Sequence, residues 1–143
     1  MSRHILLREH GECIPISTKA VLRIEGNGEY VTVILKNGKR FENQVGSIGY
    51  WKKELKKILC FVKINRSHIV NYYRVVSFSM KSGVLLCLCS VKEFEKILAM
   101  KASEEKISAI KKNTLCLPLN TEGFLELKMR YEMENGMVPS EAA

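Results

Sequence analysis

Asn65, Arg66 and Ser67 stand between two β-rich runs, Cys60–Ile64 and His68–Asn71. An arginine fork pairs in bidentate fashion with guanine O6 and N7, and an asparagine amide with adenine N6 and N7. Asn65 and Arg66 are therefore candidates to read base edges. Lys39, Arg40, Lys63 and the lysines of one predicted helix (Lys52, Lys53, Lys56, Lys57) can neutralise phosphates, which sets register without reading sequence. A lysine face on a helix also serves simply to keep a surface wet. Catalytic chemistry has little to work with. Three scattered histidines (His4, His10, His68), no aspartate, no HExxH and no phosphate-binding glycine loop leave no reaction to assign, so the chain is expected not to be an enzyme and to need no cofactor. His68, beside a β run, is expected to pack on a sheet, and Asn71 to serve as a structural turn residue.

Charge supports a polyanionic partner. The chain holds 23 Lys+Arg against 15 acids, all of them Glu, for a net charge of +8. Residues 1–101 carry 18 Lys/Arg and 8 Glu, a net of +10; residues 102–143 carry 5 and 7, a net of −2. A basic body with a mildly acidic tail suits nucleic acid or an anionic surface. Hydrophobic content of 46% over 143 residues supplies the core of one domain and excludes disorder and a coiled-coil rod. No apolar run is long enough to span a membrane, and the first residues do not read as a secretory signal, so a cytoplasmic protein is expected. Five cysteines, an odd number, fit reduced thiols. Cys87-x-Cys89 lacks zinc-knuckle spacing and reads as buried small hydrophobes on one side of a strand.

The elements that position these residues are mostly strands. Ile5–Leu7 and Cys13–Ser17 flank a turn at Glu9–Glu12. Val21–Glu25 alternates and breaks at Gly26-Asn27-Gly28. Tyr30–Leu35 is rich in Val, Ile and Thr, and Asn37-Gly38 is a strong hairpin signal before Arg40–Gln44. Ser47 caps a predicted helix with an apolar stripe of Trp51, Leu55, Ile58 and Leu59. Arg74–Ser79 and Val84–Cys89 form a further hairpin. Ser90 with Glu93 has capping-box spacing before a helix carrying Phe94, Ile97 and Leu98, which either frays or runs on into Glu104–Lys112. Leu115, Leu117 and Leu119 alternate as in a strand. Leu125, Leu127, Met129, Tyr131 and Met133 also alternate; a strand over 125–131 is favoured over a helix from Thr121 stopped by Gly136. Met137–Ala143 is expected to fray.

Residues 61–71, Phe-Val-Lys-Ile-Asn-Arg-Ser-His-Ile-Val-Asn, resemble the signature of the LytTR DNA-binding domain, Phe-x-Arg-x-His-Arg-Ser-aromatic-aliphatic-Val-Asn. Phe61, Arg66, Ser67, Val70 and Asn71 match; Lys63 replaces the usual Arg, Asn65 the usual His, and His68 the usual aromatic. The resemblance runs in order through Val21–Val31, the Lys36–Lys39 hairpin, Ser47–Leu55 and Ser90-Val91-Lys92, and covers about residues 4–98. It implies a mostly β, elongated antiparallel fold with one or two short helices. It also implies a bacterial transcription regulator that reads successive major grooves with loop side chains. By position, the base-contacting residues are then Tyr30, Asn65, Arg66 and Lys92, and Lys39, Arg40, Lys53 and Lys63 contact phosphates. Lys92, where the family uses Arg, offers a point donor in place of a fork.

Residues 1–98 are thus expected to form a LytTR-like DNA-binding domain, and 99–143 a C-terminal extension for dimerisation, partner contact or cover of a sheet edge. No receiver module is recognised ahead of the domain, so phosphorylation by one in the same chain is not expected. Double-stranded DNA is the expected partner. A homodimer and another regulator protein are further candidates; a membrane is not. The alternative function is a stand-alone interaction module that modulates another regulator and binds DNA weakly.

Overall fold

The computed structural model describes residues 3–58 and 60–135. Strands β1 (His4–Glu9) and β2 (Glu12–Ser17) form a hairpin. Its turn residues His10 and Gly11 both take positive φ, 51° and 81°, as a two-residue turn needs to match the strand twist. Strands β3 (Val21–Asn27), β4 (Tyr30–Leu35) and β5 (Arg40–Val45) follow as a meander, and helix α1 (Ile48–Glu54) comes next. Strands β6 (Phe61–Asn65) and β7 (His68–Asn71) then pair beside β3, which completes a five-stranded antiparallel sheet of order β5-β4-β3-β7-β6. Strands β8 (Val75–Ser79), β9 (Gly83–Cys87) and β10 (Thr114–Leu117) make a second sheet of order β10-β9-β8. Helices α2 (Val91–Leu98) and α3 (Glu104–Lys112) link β9 to β10, and α4 (Thr121–Asn135) follows. The mostly antiparallel β architecture is the expected one. Among the described residues, no helix is long and apolar enough to cross a membrane.

The five-stranded sheet is a middle layer with both faces buried. Alternation sends Ile24, Val33, Phe41, Phe61 and Ile69 into one core, where Trp51 of α1, Leu55 just after it and Leu7 of β1 meet them. Leu22, Val62, Ile64 and Val70 enter the other, packed against Leu86 of β9, Leu117 of β10 and Leu127 of α4. Two buried amides brace the sheet. Gln44 pins the β1–β2 hairpin to β5, accepting from the Arg8 N–H at 2.8 Å and donating to the Arg8 carbonyl at 2.8 Å. Asn71, expected to be structural, donates to the Val21 carbonyl at 3.0 Å and accepts from the Tyr73 N–H at 3.0 Å.

Three sequence expectations differ from the structure. The favoured strand over 125–131 is the middle of α4. Asn120 caps this helix by accepting from the Gly123 N–H at 2.8 Å. Leu127 and Gly123 face the sheet while Leu125, Met129 and Met133, spaced by four, lie exposed on the far side. A helix apolar on both faces reads as a period of two, which is why the alternation misled. Gly123 is required by this packing: a Cβ there would stand 2.5 Å from the Ile64 carbonyl oxygen. The helix after Ser90 neither frays nor runs on; it ends at Leu98, and a new one starts where Ser103 accepts from the Lys106 N–H at 3.2 Å. Helix α1 is shorter than its apolar stripe, ending at Glu54, although Leu55 and Ile58 still pack into the core. Leu59, Gly136 and the expected fraying of Met137–Ala143 lie outside the described residues.

Candidate nucleic-acid interface

Antiparallel pairing decides which loops meet. Asn27 is opposite Tyr30, Tyr30 opposite Val45, Glu25 opposite His68, and Asn65 opposite His68. The β3–β4 turn and the β6–β7 turn therefore emerge at the same end of the sheet, 38 positions apart in sequence if counted from Gly28 to Arg66. The Gly26 N–H donates to the Ser67 carbonyl at 2.7 Å and locks one turn to the other. Tyr30 is 47% exposed, and Arg66 is exposed at the tip of its turn and makes no ion pair among the described residues.

Asn65 shapes that tip. Its Oδ1 accepts from the Ser67 N–H at 2.8 Å, the hydrogen bond of an Asx turn, and its Nδ2 donates to the Pro118 carbonyl at 2.7 Å. His68 Nδ1 lies 3.1 Å from the same Oδ1, a bond that needs the ring proton on Nδ1. Burial lowers the His68 pKa below its ordinary value, and Glu25 partly offsets this. The ring is half-buried against the sheet, as expected. The turn bonding that the sequence assigns to Asn71 is thus also present at Asn65.

Lys92 is placed elsewhere. Leu117, just before the Pro118 that Asn65 grips, pairs with Val84, whereas Thr114 pairs with Cys87 at the other end of β9. Lys92 follows that other end, in the first turn of α2, where Ser90 accepts from the Glu93 N–H at 3.1 Å. Arg74 Nη1 donates to the Cys89 carbonyl and steadies this connection. Lys36, on the turn between β4 and β5, has its pKa lowered by burial and then by the nearby charge of Arg74. Lys92 therefore belongs to a second basic zone, at the end of the sheet opposite Arg66.

The four predicted phosphate contacts divide in the same way. Lys39 Nζ is 3.0 Å from Glu9 and stands 5.1 Å from the Phe41 ring centroid. Arg40 lies 3.5 Å from both Glu25 and Glu42. Exposed pairs of this kind are worth only about 0–1 kcal/mol, so a phosphate can displace them at small cost. Lys53 and Lys63 line a cleft between α1 and α4. Helix α1 presents Lys53 because Trp51 on its inner side is buried and donates from Nε1 to the Val45 carbonyl at 3.0 Å. Arg130, from α4, lines the same cleft. Sequence reasoning missed Arg130, and only a helical reading of the tail would have found it. All five cysteines are free thiols. Burial, and then Cys89 beside it, push the Cys87 thiol up to about 11, the behaviour of an inert core thiol.

Residues 11–113 match the LytTr DNA-binding domain family. Among solved structures, the chain is similar to the LytTr DNA-binding domain of a protein from Bacillus cereus described as a methyl-accepting/DNA response regulator. That similarity has 18% identity and a TM-score of 0.45, and covers 68% of this chain and 98% of that one. No curated protein matches the chain.

Proposed function

Because the chain belongs to the LytTR family of DNA-binding domains, we propose that it binds double-stranded DNA sequence-specifically through loop side chains in the major groove, as a bacterial transcription regulator inside the cell. The observation that carries this reading is the joining of the Tyr30 and Arg66 turns at one end of the sheet, with both side chains exposed. Arg66 reads a base edge by its fork, and Tyr30 adds a contact beside it. Asn65 is next to them but has its amide engaged, so its main part is to hold Arg66 in place; the second N–H of its Nδ2 remains for a base.

Lys92, with Arg74 and Lys36 nearby, engages the duplex from the far end. A six-residue strand spans about 20 Å. Side chains reaching beyond both ends extend this toward the ~34 Å repeat of one DNA turn. Lys39, Arg40, Lys53 and Lys63 supply phosphate contacts. The 1–98 segment carries these groups, and the 99–143 segment braces it through Pro118 and Gly123. Selection of bound duplexes from a random pool, followed by binding of Arg66→Ala to selected and random DNA, tests the proposal. A loss confined to the selected duplex supports base reading, and equal losses on both contradict it.

One observation favours the second reading, a stand-alone interaction module that modulates another regulator and binds DNA weakly. Leu125, Met129 and Met133 form an exposed apolar stripe on α4. A stable complex abolished by Met129→Glu, with DNA binding weak and non-specific, would favour that reading.

A further inference from the structure

A cleft of about 490 Å³ lies between α1, β6 and α4, and its α4 wall falls outside residues 11–113 that match the family. We propose that this cleft binds a small organic polyphosphate of nucleotide size. Three observations carry the proposal. Among the described residues, five cations line the space, Lys52, Lys53 and Lys56 from one side and Lys63 and Arg130 from the others, against the single carboxylate of Glu126. That formal excess of +4 matches a triphosphate and not a monoanion. Leu55, Phe61 and Ile69 supply an apolar lining among the charges, suited to the body of an organic anion. The volume is many times the ~30 Å³ share of one water and falls within the about 300–1,000 Å³ of small-molecule sites.

The shape separates this ligand from the DNA backbone. Charges on both walls of a cleft surround a ligand that enters it, whereas a duplex presents a convex surface that touches the rims. Lys53 and Lys63 serve both the cleft and the proposed phosphate contacts, so an occupied cleft competes with DNA; this last clause alone rests on the DNA-binding reading.

Calorimetric titration of the full chain with ATP, inorganic tripolyphosphate and adenosine, without divalent metal, tests the site. ATP binds, tripolyphosphate binds at least about tenfold more weakly, and adenosine shows no binding. Lys56→Glu, at an exposed position, weakens ATP binding at least about tenfold, while Lys101→Glu, the same charge change on an exposed residue outside the cleft, alters it less than about twofold. Glu126→Gln removes an opposing charge from the lining and tightens ATP binding about threefold. Absence of ATP binding, equal binding of tripolyphosphate, or equal weakening by Lys101→Glu overturns the proposal. In a parallel titration, ATP lowers duplex affinity for the parent chain and not for Lys56→Glu. Unchanged duplex affinity at saturating ATP overturns the competition. A chain that takes ATP but no duplex refutes the DNA reading and leaves the cleft standing.

Discussion

The two ends of the five-stranded sheet hold their cations in different ways. At one end, two turns distant in sequence are fastened by the Gly26–Ser67 hydrogen bond, and Arg66 stands exposed with its base held by Asn65. At the other, Lys39 and Arg40 lie beside Glu9, Glu25 and Glu42, and Arg74 is committed to the Cys89 carbonyl. An exposed fork on a turn whose backbone Asn65 fixes suits base reading, where the point of departure of the side chain must be set before contact. Cations already resting on surface carboxylates suit phosphate contact, where only charge is exchanged. The net charge of +8 counts both alike.

The largest separation between the ends is expected from Arg66→Ala. It costs about 1–3 kcal/mol on a selected duplex, seen as a matching fall in affinity, and leaves random duplex little changed. Next comes Asn65→Ala, which frees the Ser67 N–H and the Pro118 carbonyl. Denaturant unfolding should show a loss of about 1–2 kcal/mol, with a fall in sequence discrimination because Arg66 is no longer held. If Asn65→Ala leaves stability unchanged while abolishing discrimination, the amide is reading DNA directly.

Much of the reading end is legible in the sequence, because hairpin signals and alternation place β3, β4, β6 and β7, and antiparallel pairing then aligns their turns. The resemblance of residues 61–71 points to Arg66 directly. The partner of Asn65 is not legible: Pro118 lies 53 residues on, and only the return of β10 beside β9 brings it near. The cleft is hidden for a related reason. Arg130 belongs to a helix whose two apolar faces imitate a strand, and a helix that packs inward through Leu127 while exposing Met129 leaves no single stripe to detect. The close approach of Gly123 to Ile64 depends on a tertiary contact, which no local pattern encodes.

Smaller effects are expected at the other end. The double variant Lys39→Ala/Arg40→Ala should flatten the log–log salt dependence of binding by about 0.9 per lost phosphate contact and leave the ratio of selected to random affinity unchanged. Its stability should fall by less than about 1 kcal/mol, since both residues form exposed pairs. The smallest effect is a pH dependence. Burial depresses the His68 pKa in the folded chain below its unfolded value of 6.5, so the unfolded chain binds the proton more readily. The stabilisation by neutral His68 is present above that value and is lost as pH falls from it through the lower folded pKa. His68→Gln should flatten the stability profile across that window, and an unaltered profile would show that His68 does not set it.

The central claim is that the Tyr30 and Arg66 turns meet DNA together. Amide NMR of the full chain titrated with a duplex selected for binding tests it most directly. The account predicts that the backbone signals of Asn27–Tyr30 and Asn65–Ser67 shift along one common titration curve. Shifts confined to α4 or to the β1–β2 hairpin, with both turns unmoved, would contradict it.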